Sequence, residues 1–216
     1  MTRRALVIGC ELPSLRGPIN DVRSMTGMLQ TRGFVVDTRW QATRNDILNG
    51  DDALIEASQP GDTAVVYYSG HGYYALLPGD PRPVQCIAPV DIKSDTEWRG
   101  ITSWELSIKQ KQLTRRTQNV TVILDCCHAS HMSREAAAAG AVARALPHPV
   151  TVGIDAYLAA MREQYGEDFD HVDRDGNPDA VRFVATGKSD PAWEDIGSDG
   201  LPHGYFTSIL LDVLHE

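Results

Sequence analysis

Short apolar runs alternate with segments of helical spacing over most of this chain. Residues 5–9 are apolar and include Val7 and Ile8. Residues 18–32 then place Ile19, Val22, Met25, Met28 and Leu29 at helical spacing, with Pro18 in the first turn and Gly33 as the stop. Residues 34–37 read as a second strand. Residues 43–57 read as a second helix, with Ile47, Leu54 and Ile55 on one face and Pro60-Gly61 beyond its end. Residues 63–68 are a third strand, and 73–77 with 84–88 can form a hairpin. Residues 103–116 predict a third helix and 120–124 a fourth strand. The pattern loosens after Ser130: residues 134–145 are alanine-rich, 151–165 suit a helix, and 167–179 are acidic and turn-rich. A fifth strand at 181–185 and a helix at 203–214 close the chain. This β-α-β-α order, with near-continuous apolar strands, implies an α/β fold whose parallel sheet is covered by helices on both faces.

Bulk properties narrow the picture. With 216 residues, 42% of them hydrophobic, the chain can bury a full core and is most simply one domain. A net charge of -9 argues against nucleic acid or an anionic membrane as the main partner. The same excess of carboxylates suits a basic substrate, although acidic surfaces more often serve solubility. No apolar run approaches the roughly 20 residues of a membrane helix. Residues 5–10, behind Arg3 and Arg4, are shorter than the about 7–15 apolar residues of a signal peptide. Cysteines at 10, 86, 126 and 127 lack the spacing of a disulfide framework, which points to a reduced, cytoplasmic setting.

Two motifs sit where open α/β sheets carry their chemistry, at the carboxyl ends of strands. Residues 64–68 lead into Ser69-Gly70-His71-Gly72, and residues 120–124 lead into Asp125-Cys126-Cys127-His128. Taken singly, each is more readily a turn-capping histidine or an inert core cysteine. Together they suit a thiol nucleophile and its base, because an imidazole can deprotonate the thiol and later protonate a leaving amine. The flanking Gly70 and Gly72 allow a sharp bend and leave the Gly72 N–H open to a developing oxyanion.

The motif pair, Tyr68-Ser69-Gly70-His71-Gly72 followed by residues 122–129, resembles the signature of the caspase-like cysteine peptidases. It is closer to the bacterial and metacaspase/orthocaspase branch than to animal caspases. Residues 15–22, 87–91 and 203–207 agree, so the resemblance covers most of the chain and is weakest at 131–180. It implies a caspase-haemoglobinase-like three-layer sandwich and a cysteine endopeptidase acting on proteins or peptides. It divides the single catalytic domain into a large part (1–130), a linker or insertion (131–180) and a small part (181–216) that is open to truncation. Further domains or a regulatory partner in a longer protein also stay open.

The same resemblance makes His71 the base and Cys127 the nucleophile. Cys126 then takes the small position and, by strand alternation, faces the core. Gly72 and Cys127 would supply the oxyanion-hole N–H groups. A basic P1 side chain would enter a pocket formed by Asp21, Ser69 and Asp125. Asp21 can equally be a helix first-turn carboxylate, and Asp125 a strand-end group bonded to nearby backbone. Arg16 lies near where animal caspases place an arginine selecting Asp at P1, so acidic P1 preference is the alternative.

No cofactor is required by this reading. Calcium remains open, with Asp91, Asp95 and Glu97 as oxygen donors that do not reproduce the family's acidic quartet. The loop at 173–177 fails as an EF-hand, because its glycine is misplaced and its twelfth position is Val184. A zinc site from Cys126, Cys127, His128 and His131 is a rival, weakened by adjacent cysteines and by the absence of an HExxH motif. A non-catalytic binding scaffold is the third reading. No P-loop or GxGxxG follows the first strand. Finally, Arg134, Arg144, Arg162 and Arg174 lie in the linker, and one of them is expected to be a self-processing site.

Overall fold

The computed structural model describes residues 1–77, 80–127, 141–146, 150–173, 176–187 and 191–215. The chain runs from β1 (Arg3–Cys10) through α1 (Pro18–Thr31) to β2 (Phe34–Trp40), and α2 (Arg44–Ala57) returns it to β3 (Thr63–Gly70). An antiparallel unit of β4 (Gly72–Leu77), β5 (Asp80–Ile87) and β6 (Ile101–Thr102) precedes α3 (Ser103–Arg116) and β7 (Asn119–Asp125). Then follow β8 (Val142–Ala143), α4 (Ile154–Tyr165), α5 (Glu167–His171), β9 (Val181–Val184), β10 (Trp193–Ile196), β11 (Pro202–Gly204) and α6 (Tyr205–His215).

The central sheet is parallel, in the order β2-β1-β3-β7-β9. Side chains alternate between its faces, and each set meets its own helices. Leu6, Ile8, Val66, Tyr68, Val122 and Leu124 share a core with Ile47 and Leu54 of α2 and Leu113 of α3. Ala5, Val7, Val65, Tyr67 and Ile123 pack instead with Val22, Met25 and Leu29 of α1 and Leu211 of α6. The crossover direction reverses between β1–β2 and β2–β3, so right-handed connections put α1 and α2 on opposite faces.

Local chemistry explains the helix limits. Thr43 caps α2, accepting from the Asp46 N–H while Asp46 reaches back to the Thr43 N–H, a reciprocal capping box. Thr102 caps α3 by accepting the Glu105 N–H, and Arg115 and Arg116 lie at its dipole-favoured end. The expected coverage on both faces holds for β1, β3 and β7. The edge strands differ: β2 alternates, and β9 leaves Val181, Phe183 and Val184 exposed.

One region departs from the sequence pattern. His203 and Gly204 belong to β11 rather than to the closing helix, which starts at Tyr205. β11 pairs with β10, and β10 with β8, in a small antiparallel sheet. Strands of two to four residues carry too little periodicity to be read locally, and their pairings span up to about fifty residues. This sheet supplies much of the site.

Candidate active site

The strand order reverses at β1 and β3, and the carboxyl ends of β1, β3 and β7 meet there, as expected for a ligand site. Register aligns Tyr68 with Leu124 and Ser69 with Asp125, so His71 and Cys127 leave neighbouring strands at the same level. A Cβ on Gly72 would collide with the Cys127 carbonyl, so glycine is what lets the histidine loop lie against the cysteine backbone.

His71 is held from both ends. Its carbonyl accepts the Ala88 N–H at 3.0 Å and lies 2.9 Å from the Tyr68 hydroxyl, so residues 87–89 pin the loop. Its Nε2 is 3.2 Å from the Oγ of Ser14, whose φ of 95° is strained for a residue with a side chain. Among the described residues its Nδ1 is buried without a hydrogen-bond partner. Burial pulls the imidazole pKa down to about 4, so the ring is neutral near pH 7 and able to take a proton.

The cysteines separate by environment. Cys126 packs in the α2–α3 core with Tyr68 and Leu124, on the side expected from strand alternation. Cys127 is fully buried against Ala145 and Ala192. None of the four cysteines forms a disulfide. Burial pushes the Cys10 thiol up to about 12 and lifts Cys86 and Cys126 well above the ordinary thiol range. His128 and His131 lie outside the described residues, as does Arg134.

Beside Cys127, the structure holds a side chain that the sequence placed only among four arginines. Arg144 is completely buried at the carboxyl ends of β3 and β7. Its Nη2 is 2.6 Å from Asp21 Oδ2 and 3.5 Å from Glu194 Oε2. Its Nη1 donates to Ser69 Oγ at 2.8 Å and to the Asp125 carbonyl at 3.1 Å, and lies 3.3 Å from Asp125 Oδ2. The carbonyl of Arg144 accepts two backbone donors, Gly72 N–H at 2.9 Å and Cys127 N–H at 3.3 Å. Burial alone would lower the Arg144 pKa, but Asp125 and Asp21 outweigh it and raise it further.

Each carboxylate is itself fixed. Asp21 Oδ2 accepts from Ser69 Oγ at 2.8 Å, and Oδ1 lies 2.9 Å from His203 Nδ1. Asp125 Oδ2 accepts the Thr207 N–H at 3.1 Å and its hydroxyl at 2.5 Å, while Oδ1 is buried without a hydrogen-bond partner among the described residues. Burial raises the Asp125 pKa, countered by Arg144. Glu194 accepts the N–H groups of Arg16 and Gly17 at 2.8 Å each. A Cβ on Gly204 would strike Asp125, so the end of β11 also needs glycine. The bond to Asp21, and a second at 3.0 Å to Asp199, raise the His203 pKa.

The geometry therefore brings Asp21, Ser69, Asp125, His71, Gly72 and Cys127 together. It adds Glu194, His203, Thr207 and Ser14, for which no local motif assigned a role. His203 and Thr207 carried a signal, in the stretch 203–207. Arg16 is exposed and offers Glu194 only its backbone N–H. Asp91 and Glu97 both pair with Arg99, and the described residues contain no group of three or more metal-ligating side chains. The loop at 173–177 lies partly outside the described residues.

The family model for the caspase domain matches residues 2–216. The chain belongs to the caspase-domain family of cysteine peptidases. Among relatives of this family, it is 30% identical to Metacaspase-2 of Trypanosoma brucei brucei over 148 residues, which is 59% of this chain and 41% of that protein. It is 33% identical to Metacaspase-4 of Arabidopsis thaliana over 159 residues, 63% of this chain and 35% of that protein. The aligned part thus spans between about a third and two fifths of these metacaspases. The fold is similar to that of the Geobacter sulfurreducens protein GSU0716, with a TM-score of 0.70 and 20% identity, over 100% of this chain and 82% of that one. No helix among the described residues is long and apolar enough to cross a membrane.

Proposed function

We propose that this chain is a cysteine endopeptidase that cleaves proteins or peptides after arginine or lysine, with Cys127 as nucleophile and His71 as its base. One observation carries the specificity: a buried guanidinium ringed by Asp21, Ser69 and Asp125, with the carbonyl of the same residue on the N–H groups of Gly72 and Cys127. That is the arrangement a P1 arginine and its scissile carbonyl require.

The chemistry follows from the groups present. Neutral His71 takes the Cys127 thiol proton, and the thiolate adds to the carbonyl carbon of the P1 residue. The oxyanion rests on the N–H groups of Gly72 and Cys127. Collapse breaks the C–N bond, and the proton on His71 passes to the leaving amine. Water, deprotonated by His71, then hydrolyses the thioester and restores the thiol. An aspartate at P1 would instead meet Asp21, Asp125 and Glu194 in a buried pocket, where like charges repel. No step depends on a metal.

The test is hydrolysis of peptides with Arg, Lys or Asp at P1, with and without calcium. Arg and Lys peptides are expected to be cut and Asp peptides not. Cys127→Ala and His71→Ala should each lower kcat/KM by roughly a thousandfold or more. Cys126→Ala should stay active, and Asp21→Asn should lose about 10- to 100-fold on Arg peptides. Full activity in Cys127→Ala would sink the assignment, and preference for Asp at P1 would sink the specificity.

A further inference from the structure

Among the described residues, two that carry a side chain take a positive φ, Ser14 at 95° and Gln41 at 51°. Such backbone is disfavoured for a residue with a Cβ and persists where the surroundings impose it. Both residues serve one loop. Residues 11–17 lead from the carboxyl end of β1 to α1, and Gln41 follows the end of β2. The Gln41 side chain holds Glu11 by its backbone: Oε1 accepts the Glu11 N–H at 2.9 Å, and Nε2 donates to the Glu11 carbonyl at 3.4 Å. The Leu15 N–H then donates to the Leu12 carbonyl at 3.1 Å, a turn that brings the Ser14 Oγ to 3.2 Å from His71 Nε2. Leu12 and Leu15 are buried, whereas Ser14 is exposed, so packing of its own side chain does not repay the strain. A tight turn between two leucines is better served by glycine. What serine adds is the hydroxyl.

The two ring nitrogens of His71 are not equivalent. Nε2 faces Ser14, and Nδ1 is buried without a hydrogen-bond partner among the described residues. Desolvation dominates the low pKa; the Arg144 carbonyl opposes it, the Arg144 charge reinforces it, and the Pro13 carbonyl opposes it. A neutral imidazole carries one proton, on either nitrogen. With that proton on Nε2, it is donated to Ser14 Oγ, and Nδ1 keeps a bare lone pair for a thiol. With the proton on Nδ1, that N–H is buried without an acceptor, and the one lone pair is spent on Ser14.

We propose that Ser14 is a positioning residue for peptide hydrolysis: its hydroxyl accepts the Nε2–H of His71 and so reserves Nδ1 as the base, and Gln41 is the brace that keeps Ser14 in place. This deepens the peptidase reading above and rests on it. The Cys127 thiol proton passes to Nδ1, the thiolate adds to the scissile carbonyl carbon, and Nδ1 returns the proton to the leaving amine as the C–N bond breaks. Through both transfers the Nε2–H stays on Ser14, which itself neither gains nor loses a proton. The bond also strengthens when the ring is charged, since the donor is then an imidazolium.

The test combines kinetics on arginine peptides with ring-nitrogen NMR. Glycine accepts the backbone of residue 14, so Ser14→Gly should melt no lower than wild type. Its kcat should nonetheless fall about tenfold, with KM within about twofold. A residue that only shaped the turn would keep its rate. Ser14→Asp, which also tolerates a positive φ, sets a carboxylate against Nε2 and should move the acid limb of the kcat profile up by about one pH unit or more. Gln41→Gly removes the brace and should lower kcat about threefold. In Cys127→Ala protein with isotope-labelled histidine, the His71 signals, assigned by their loss in Cys127→Ala/His71→Gln, should report the Nε2–H tautomer at neutral pH. The Nδ1–H tautomer there, or wild-type kcat in Ser14→Gly with an unmoved acid limb in Ser14→Asp, would overturn the inference and leave the peptidase reading standing. A wild type that cuts no arginine or lysine peptide would overturn both.

Discussion

His71 combines two conditions that usually oppose each other, a buried ring and a nitrogen with no hydrogen-bond partner among the described residues. Burial lowers its pKa from 6.5 to about 4. The unfolded chain therefore binds a proton below pH 6.5 that the folded protein refuses until about pH 4. The stability this site contributes is complete above pH 6.5 and is lost as pH falls toward 4, by about 3 kcal/mol in all. Urea melts of Cys127→Ala and of Cys127→Ala/His71→Gln across this range should diverge, the form retaining His71 losing more stability. Parallel curves would refute the burial effect. At this same scale the motifs were legible: His71 and Cys127 stand beside glycine and aspartate at strand ends. Ser14 was not, because its role depends on a positive φ and on a contact 57 residues away.

Among the elements, α3 spans residues 103–116 as the periodicity predicts, since its cap and its charged end are written locally. The contact between α2 and α3 holds a group unrelated to the site. Asp51 is buried, its Oδ2 has no hydrogen-bond partner among the described residues, and desolvation raises its pKa from 3.8 to about 7, opposed by Lys109 and reinforced by Asp52 and Glu105. A raised carboxyl pKa means that the unfolded chain gives up its proton first, so stability falls as pH rises from about 4 to 7. Asp51→Asn should therefore stabilise the protein at pH 8 by on the order of 2–4 kcal/mol, with the gain shrinking toward pH 5. Thermal melts at the two pH values check it, and a gain independent of pH would contradict it. By contrast β8, β10 and β11 escaped the pattern, because strands this short exist only through partners distant in sequence.

Across the whole molecule, one side chain ties the parts together. Arg144 joins Asp21 on α1, Ser69 on β3, Asp125 on β7 and Glu194 on β10, all with little or no exposure. Removing one member of such a set leaves uncompensated buried charges. In a Cys127→Ala background, Arg144→Met should lower stability by about 3–5 kcal/mol. Denaturant unfolding checks this, and a loss under about 1 kcal/mol, the range of an exposed ion pair, would show that the cluster is solvated.

The sequence by itself determined the alternating α/β order, the strand ends that carry His71 and Cys127, and the carboxylates Asp21 and Asp125. Those depend on periodicity and on motifs a few residues long. Only the tertiary structure decided that Arg144 is buried at these strand ends and what it meets. Arg144, Glu194 and His203 are brought to Asp21 across 123, 173 and 182 residues. Local spacing carries no record of such distances; they are set when a strand of two residues finds its place beside β10 and its arginine finds the carboxylates that make burial tolerable.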